Sequence, residues 1–350
     1  MVCIAAFIIL CLVGVFVAFA SIFKRSLGAK YLKALKKSFG CLGHKLRLQK
    51  CETNFKDDVK NSLLKKVVLK HPKLTKPLSA LIEVLSVLLV IITVWSIIEV
   101  IKAGLALWTF GTCNVSQPAS CTLSSEMCSI DGNEPQNPAE YVQRWFGEWG
   151  EIFQAIPDRL HDWHAEEYAV EPYTIIGGYQ AGKPYALDII DPGCAVCMQS
   201  YRNQKSSGFF DKYNTILMVY PIKINDTEYK FKNSDIIARY FYAARVAGTE
   251  AGASLINRLF TDSNSEGVNY QTVFQTELSG EEAEQTLQNW LHNFGVSNSK
   301  VSAIAGLAHS NRVTDLLKQI DDAVTNKIHV KGIPSMIYDN KLHAGLYEAK

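Results

Sequence analysis

The stretch that decides the fold is DIIDPGCAVC, residues 188–197. It closes the run YALDII, residues 185–190, whose apolar and β-branched side chains read as a buried strand. Asp191-Pro192-Gly193 reads as a turn, and a helix is expected from Cys194 to about residue 205. The two cysteines have the spacing C-x-x-C, and Asp188 lies six residues before the first. Three chemistries use such a pair. A zinc site needs about four ligands, commonly from a second pair at matching spacing. There is no second C-x-x-C, and His292, His309, His329 and His343 are isolated, so no metal is expected. A purely structural bridge would close a tiny loop and constrain the unfolded chain little. A redox pair accounts for the position. Unpaired backbone N–H groups and the positive end of the helix dipole would favour the Cys194 thiolate, which is the nucleophilic form. Cys197, one turn later, could then attack the mixed disulfide and release the substrate.

Working outward, YTIIGG from residue 173 reads as a further strand, and TILMVYPIKI from residue 215 as a strand ended by Pro221. Strand, helix, strand in this order implies a parallel pair with a crossover helix. Residues 233–326 carry helical periodicity throughout. The segment HVKGIPSMIYDNKLHAGLY then gives two short strands around a turn at Asp339-Asn340.

Strand, turn, C-x-x-C at a helix start, strand, and a distant Gly-Ile-Pro-Ser before a strand together resemble the thioredoxin fold. The long helical stretch between the two sheet halves is similar to its DsbA-like branch. The resemblance covers residues 173–350, about half the chain, and the expected fold class is α/β, thioredoxin-like with a helical insertion. It implies that Cys194 and Cys197 are the catalytic pair, and that Pro334 is cis and lines the substrate groove with Ile333. It also implies that Asp188 is the buried acid which exchanges a proton with Cys197. The pair between the cysteines, Ala195-Val196, contains neither the histidine nor the proline found in this branch, which implies a less oxidising site. The family's closing helix has little sequence left after the last strand, unless another helix, near residues 139–155, covers that face.

The rest of the chain speaks to location. The net charge of +2 conceals an asymmetry: residues 24–77 hold sixteen Lys or Arg and three acids, a net of +13, so residues 78–350 carry −11. Residues 1–23 have no charged side chain and are about long enough to span a bilayer. Lys24 and Arg25 follow this run, whereas a signal peptide carries its basic residues in front. A second apolar stretch, residues 78–110, is the second expected transmembrane helix, with Trp95 and Trp108 as interface anchors. The basic loop between the two spans should be cytoplasmic and lie against anionic lipid. The acidic remainder is then extracytoplasmic, where disulfides persist. Cys41, His44, Cys51 and His71 match no zinc spacing and read as reduced thiols with unrelated histidines.

Residues 111–171 form the linker to the thioredoxin-like domain, which is expected over residues 172–350. Cys113, Cys121 and Cys128 lie in its Ser- and Pro-rich first part. Two of them should pair, leaving one free or available to a partner. A bridge that orders this loop is favoured over a relay of oxidant to Cys194. The second part is an amphipathic helix whose face of Val142, Trp145, Phe146, Trp149 and Phe153 is expected to pack on the domain that follows.

These readings converge on a membrane-tethered thiol–disulfide oxidoreductase that forms disulfides in exported proteins. A reductase or isomerase of the same fold is the alternative within the class. An assembly module of a membrane complex is the alternative outside it, and the intact C-x-x-C argues against that one. The implied partners are reduced or misoxidised exported proteins and a DsbB- or VKOR-like membrane protein that restores the redox state. No cofactor or nucleic-acid partner is implied, since the chain has no phosphate-binding loop and topology explains its basic segment.

Overall fold

The computed structural model describes residues 75–121, 126–130, 137–225 and 228–348. The expected first span and nearly all of the basic loop, with Cys41, His44, Cys51 and His71, lie outside them. The chain divides into two compact units, Met1–Ile101 and Lys102–Lys350. In the first, the described residues belong to helix α1, Thr75–Phe110, which runs on into the second unit. Leu81, Val84, Leu88, Ile91 and Val94 are all exposed on it. Its stretch Ile91–Phe110 is the one segment among the described residues long and apolar enough to cross a membrane.

The second unit continues from the end of α1 into a loop closed by a Cys113–Cys121 disulfide. Next come the two-residue strand β1, Cys128–Ser129, and helix α2, Pro138–Leu160. The side chain of Asn137 caps α2 by accepting from the Glu140 N–H, and Pro138 occupies the first turn, where no backbone donor is needed. Here the structure corrects the expected packing. Val142, Phe146 and Phe153 are exposed, and Glu148, Ile152 and Ala155 form the buried face. The reason lies in the last turns of α1. Lys102 donates to Glu148 at 2.6 Å, and Ala106 and Val115 make a small apolar cluster with Ile152. This paired charge and these small side chains hold the Glu148–Ile152–Ala155 face inward, which leaves Trp145 and Trp149 half-buried, Trp145 beside Lys102, and turns Val142, Phe146 and Phe153 outward.

The main sheet is mixed. Its strands are β2, Thr174–Ile175; β3, Tyr185–Ile190; β4, Asn214–Val219; β6, Ser335–Tyr338; and β7, Lys341–Ala344. Their order is β2-β4-β3-β6-β7, while β1 pairs separately with β5, Gly332–Ile333. β3 and β4 are parallel, with Leu187 opposite Ile216 and Asp188 opposite Leu217; the other pairings are antiparallel. β3 and β4 are buried almost throughout, as expected of mainly apolar strands covered on both faces. The crossover consists of α3, Ala195–Ser206, and the short α4, Phe209–Lys212. Gly208 joins them at φ 75°, the left-handed conformation that ends a helix without a Cβ clash. β6 and β7 turn through Asp339 and Asn340, both at positive φ, which suits a tight hairpin.

Between β4 and β5 lies the helical insertion. Its helices are α5, Ser234–Val246; α6, Ala251–Thr261; α7, Tyr270–Thr276; α8, Gly280–Asn293; α9, Asn298–Ala308; and α10, Asn311–Asp322. Ser279 and Glu282 form a reciprocal capping box at the start of α8. The insertion shares one core with the sheet and α3, in which Tyr201, Phe241, Phe260, Phe274 and Leu287 are buried. A smaller cluster of Ala186, Phe209, Tyr213 and Met336 is backed by Tyr338 and Tyr347. The strand order, the crossover helix and the inserted helices make this a mixed α/β, thioredoxin-like fold of the DsbA-like type. The last turn of α2 reaches the sheet's edge, where Arg159 donates to the Leu342 carbonyl.

Candidate redox site

The C-terminal end of β3 carries the chain into the turn at Asp191, and a buried network fixes that turn. The Asp191 carboxylate accepts from the Gly193 N–H at 2.7 Å, from the Ile222 N–H at 2.7 Å, and from the Ser234 hydroxyl. Burial lifts its pKa to about 6 against the opposing pull of these hydrogen bonds. The Gln271 side chain spans the turn from α7, donating to the carbonyls of Pro192 at 2.8 Å and Cys194 at 3.0 Å. Gly193 leaves no room for a side chain, because a Cβ there would lie 2.2 Å from that of Phe231. The result is a rigid platform that delivers Cys194 to the N-cap of α3, with Cys197 in the first turn.

Neither cysteine has exposed surface. The expected partner of Cys194 was Cys197; the structure instead bonds Cys194 to Cys128, sixty-six residues earlier, with the two Cα atoms 6.3 Å apart. Cys197 is the one free thiol among the described cysteines. It accepts a hydrogen bond from the Asp191 N–H at 3.5 Å. Burial pushes its pKa well above the ordinary thiol value, and the nearby Asp191 and Asp188 charges act in the same direction.

Asp188 lies fully buried in β3, with its Oδ2 accepting from Gln204 Nε2 at 3.0 Å. Its Oδ1 has no hydrogen-bond partner among the described residues. Burial raises its pKa to about 7. Such a carboxyl changes protonation state at neutral pH, the property needed for proton exchange with a thiol.

Ile333 and Pro334 stand opposite the cysteines. Their peptide bond is cis, and the Ile333 carbonyl oxygen lies 3.9 Å from Cys194 Sγ. Ile333 pairs with Cys128 and Gly332 with Ser129, and the Ile130 N–H continues the ladder to the Lys331 carbonyl at 3.1 Å. Cys113 and Cys121 are bonded to each other. The cysteine triplet of the linker therefore divides, with two members in a local bridge and the third in the groove. Sequence reasoning missed Asp191 as an anchor and Gln271 as part of the site; for the linker cysteines it favoured a bridge over an approach to Cys194, and the structure holds both, Cys113 with Cys121 and Cys128 with Cys194. A conspicuous signal was the uneven count of three cysteines in the linker.

No family model matches the sequence, and no curated protein matches it. Solved structures with a similar arrangement include the thiol-disulfide exchange protein alpha-DsbA2 from Wolbachia pipientis. That chain is 17% identical at a TM-score of 0.37, over 51% of this chain and 81% of that one. Proteus mirabilis ScsC in a transitional conformation is 13% identical at 0.38, over 60% and 87%. A thioredoxin-like oxidoreductase from Silicibacter pomeroyi DSS-3 is 17% identical at 0.33, over 47% and 79%. At these identities and scores the fold assignment rests on the strand order and helix placement of the chain itself.

Proposed function

We propose that this chain is a membrane-tethered, extracytoplasmic thiol–disulfide oxidoreductase that forms disulfides in exported proteins. The observation that carries the reading is the state of the site. Cys194 is disulfide-bonded to a cysteine on an extended strand, and an unbonded Cys197 thiol waits one turn along the same helix. This is the arrangement of a mixed disulfide before resolution.

The chemistry follows from the placement. When reduced, Cys194 at the helix N-cap is the thiol whose ionised form is favoured, by the unpaired N–H groups of the first turn. Cys197, buried and held as a thiol, does not compete as the attacking group. It becomes a nucleophile when a nearby base takes its proton. Asp188 is suited to that role, since it is buried, has a free oxygen, and titrates near neutrality. The Cys197 thiolate then attacks Cys194 Sγ, closes the Cys194–Cys197 disulfide, and expels the bound cysteine as a thiolate. Run from the disulfide side, the same steps give oxidation of a substrate dithiol. Ile333 and Pro334 form the wall along which the substrate's extended backbone lies.

Tethering is supported by the apolar stretch Ile91–Phe110 and by the +13 charge of residues 24–77. Two disulfides among the described cysteines suit an oxidising compartment. A DsbB- or VKOR-like membrane protein would restore the oxidised state. The test is exchange with a small dithiol peptide, together with the reduction potential of the Cys194 disulfide against glutathione. Cys194→Ala should lower exchange to the background rate of the buffer, and the potential should lie above that of the glutathione couple. Exchange undiminished in Cys194→Ala would sink the assignment, and a potential well below glutathione would reverse its direction to reduction.

A further inference from the structure

In the bonded state the Cys194 sulfur is sealed by the chain itself. The segment over it is docked as a polypeptide strand. Cys128 and Ser129 pair with Ile333 and Gly332, and just before them the Glu126 carbonyl accepts from the Leu346 N–H at 2.9 Å. Lys230 Nζ donates to the Ser129 carbonyl at 2.7 Å. Met127 is buried against Gly332, where an added Cβ would lie 2.5 Å from the methionine sulfur. The segment thus fills the groove wall assigned above to substrates, in backbone and in side chains.

Resting on the oxidoreductase reading, we propose that Cys128 is a third redox-active cysteine: an internal substrate that occupies the polypeptide-binding edge of β5 and exchanges with Cys197 for Cys194. The step conserves electrons. The Cys197 thiol gives its proton to the Asp188 carboxylate, and the thiolate attacks Cys194 Sγ. The Cys194–Cys197 bond forms as the Cys128–Cys194 bond breaks. Cys128 leaves as a thiolate and takes a proton from solvent, to which Asp188 returns its own. One disulfide and one thiol stand on each side, so no outside oxidant or reductant is consumed.

An exported polypeptide then competes with the β1 segment for the same edge. The internal occupant indicates what the edge accepts: an extended segment with a bulky apolar side chain just before its cysteine, where Met127 lies, and a small polar residue after it, where Ser129 lies. While β1 is bonded the site is closed to clients, and only the released form engages them.

The experiment maps the disulfides of the full chain in detergent by alkylation and peptide mass analysis, after equilibration in glutathione buffers of graded ratio. Two forms of equal thiol count are expected: Cys128–Cys194 with Cys197 free, and Cys194–Cys197 with Cys128 free. Because this map is made on the unaltered chain, it does not depend on how a variant folds. Cys128→Ser should collect in the second form. It should oxidise a reduced peptide containing Leu-Cys-Ser and a second cysteine about tenfold faster in a single turnover, the factor recovered when a covalent hold that closes the edge about nine-tenths of the time is removed. Cys194–Cys197 as the sole bond among Cys128, Cys194 and Cys197 in every buffer, with Cys128→Ser at the original rate, overturns the role of Cys128 and leaves the oxidoreductase standing. A Cys128–Cys194 bond that never yields to Cys194–Cys197 overturns the exchange. If no form, Cys128→Ser included, passes electrons to or from the peptide, the oxidoreductase reading itself falls.

Discussion

Asp188 shows how much one buried side chain can impose. Its folded pKa of about 7 lies above the ordinary 3.8, so the folded chain binds this proton more tightly than the unfolded chain does. Stability from this group is greatest at low pH, where both states are protonated, and falls as pH rises from about 4 through about 7. At about 1.4 kcal/mol for each pH unit of that gap, the ionised carboxylate costs up to about 4 kcal/mol above pH 7. Asp188→Asn should therefore stabilise the fold at pH 8 by as much as that and change it little at pH 4, as read from urea melts at the two values. The same variant should slow release of Cys194 disulfides at neutral pH, because the Cys197 proton loses its acceptor. Equal melts at both pH values would contradict this account. Asp188 was legible in the sequence because its relation to the cysteines runs along the chain. Asp191 lies in the same ten residues and read only as part of a turn. Its anchoring role is created by Ile222 and Ser234, which reach it only after folding. Gln271, seventy-seven residues from Cys194, left no local signal at all.

At the level of elements, periodicity served well where an element is long enough to show it. The inserted helices, the crossover helix and the parallel β3–β4 pair all follow from runs of apolar residues at the right spacing. The two-residue strands β1 and β5 have no pattern, and their pairing joins positions about two hundred residues apart. The aromatic stripe of α2 was legible but not its direction, because the partner that set it, Lys102 on Glu148, lies outside the helix. The turn before α3 offers a sharp test of element placement. Gly193→Ala would press a methyl group against Phe231 and the Gln275 amide. We expect a loss of about 1–3 kcal/mol, typical of overpacking, and slower exchange, because the start of α3 must shift to make room. A melt and an exchange rate both matching the original chain would show that the loop yields freely.

For the whole molecule, the charge split between +13 and −11 remains the main clue to orientation. We expect single-cysteine variants bearing Cys41 or Cys51 to resist a membrane-impermeant thiol reagent in intact cells and to react after permeabilisation. Labelling without permeabilisation would invert the proposed topology. The architecture of the catalytic unit was legible from one motif and its surroundings, whereas the occupant of its groove was not. That occupant comes from the linker, a region whose composition marks it as a loop and gives no hint of where it docks.

Three sulfurs sharing one bond always leave one over, and where the odd one resides has a chemical consequence. In the structure it is Cys197, which has no exposed surface and a strongly raised pKa. Peroxide and other electrophiles attack exposed thiolates, and the damage beyond the sulfenic state is largely irreversible. With Cys128 joined to Cys194, the protein stores its spare sulfur in the interior as an unreactive thiol. It is shielded there from electrophiles for as long as that bond stands.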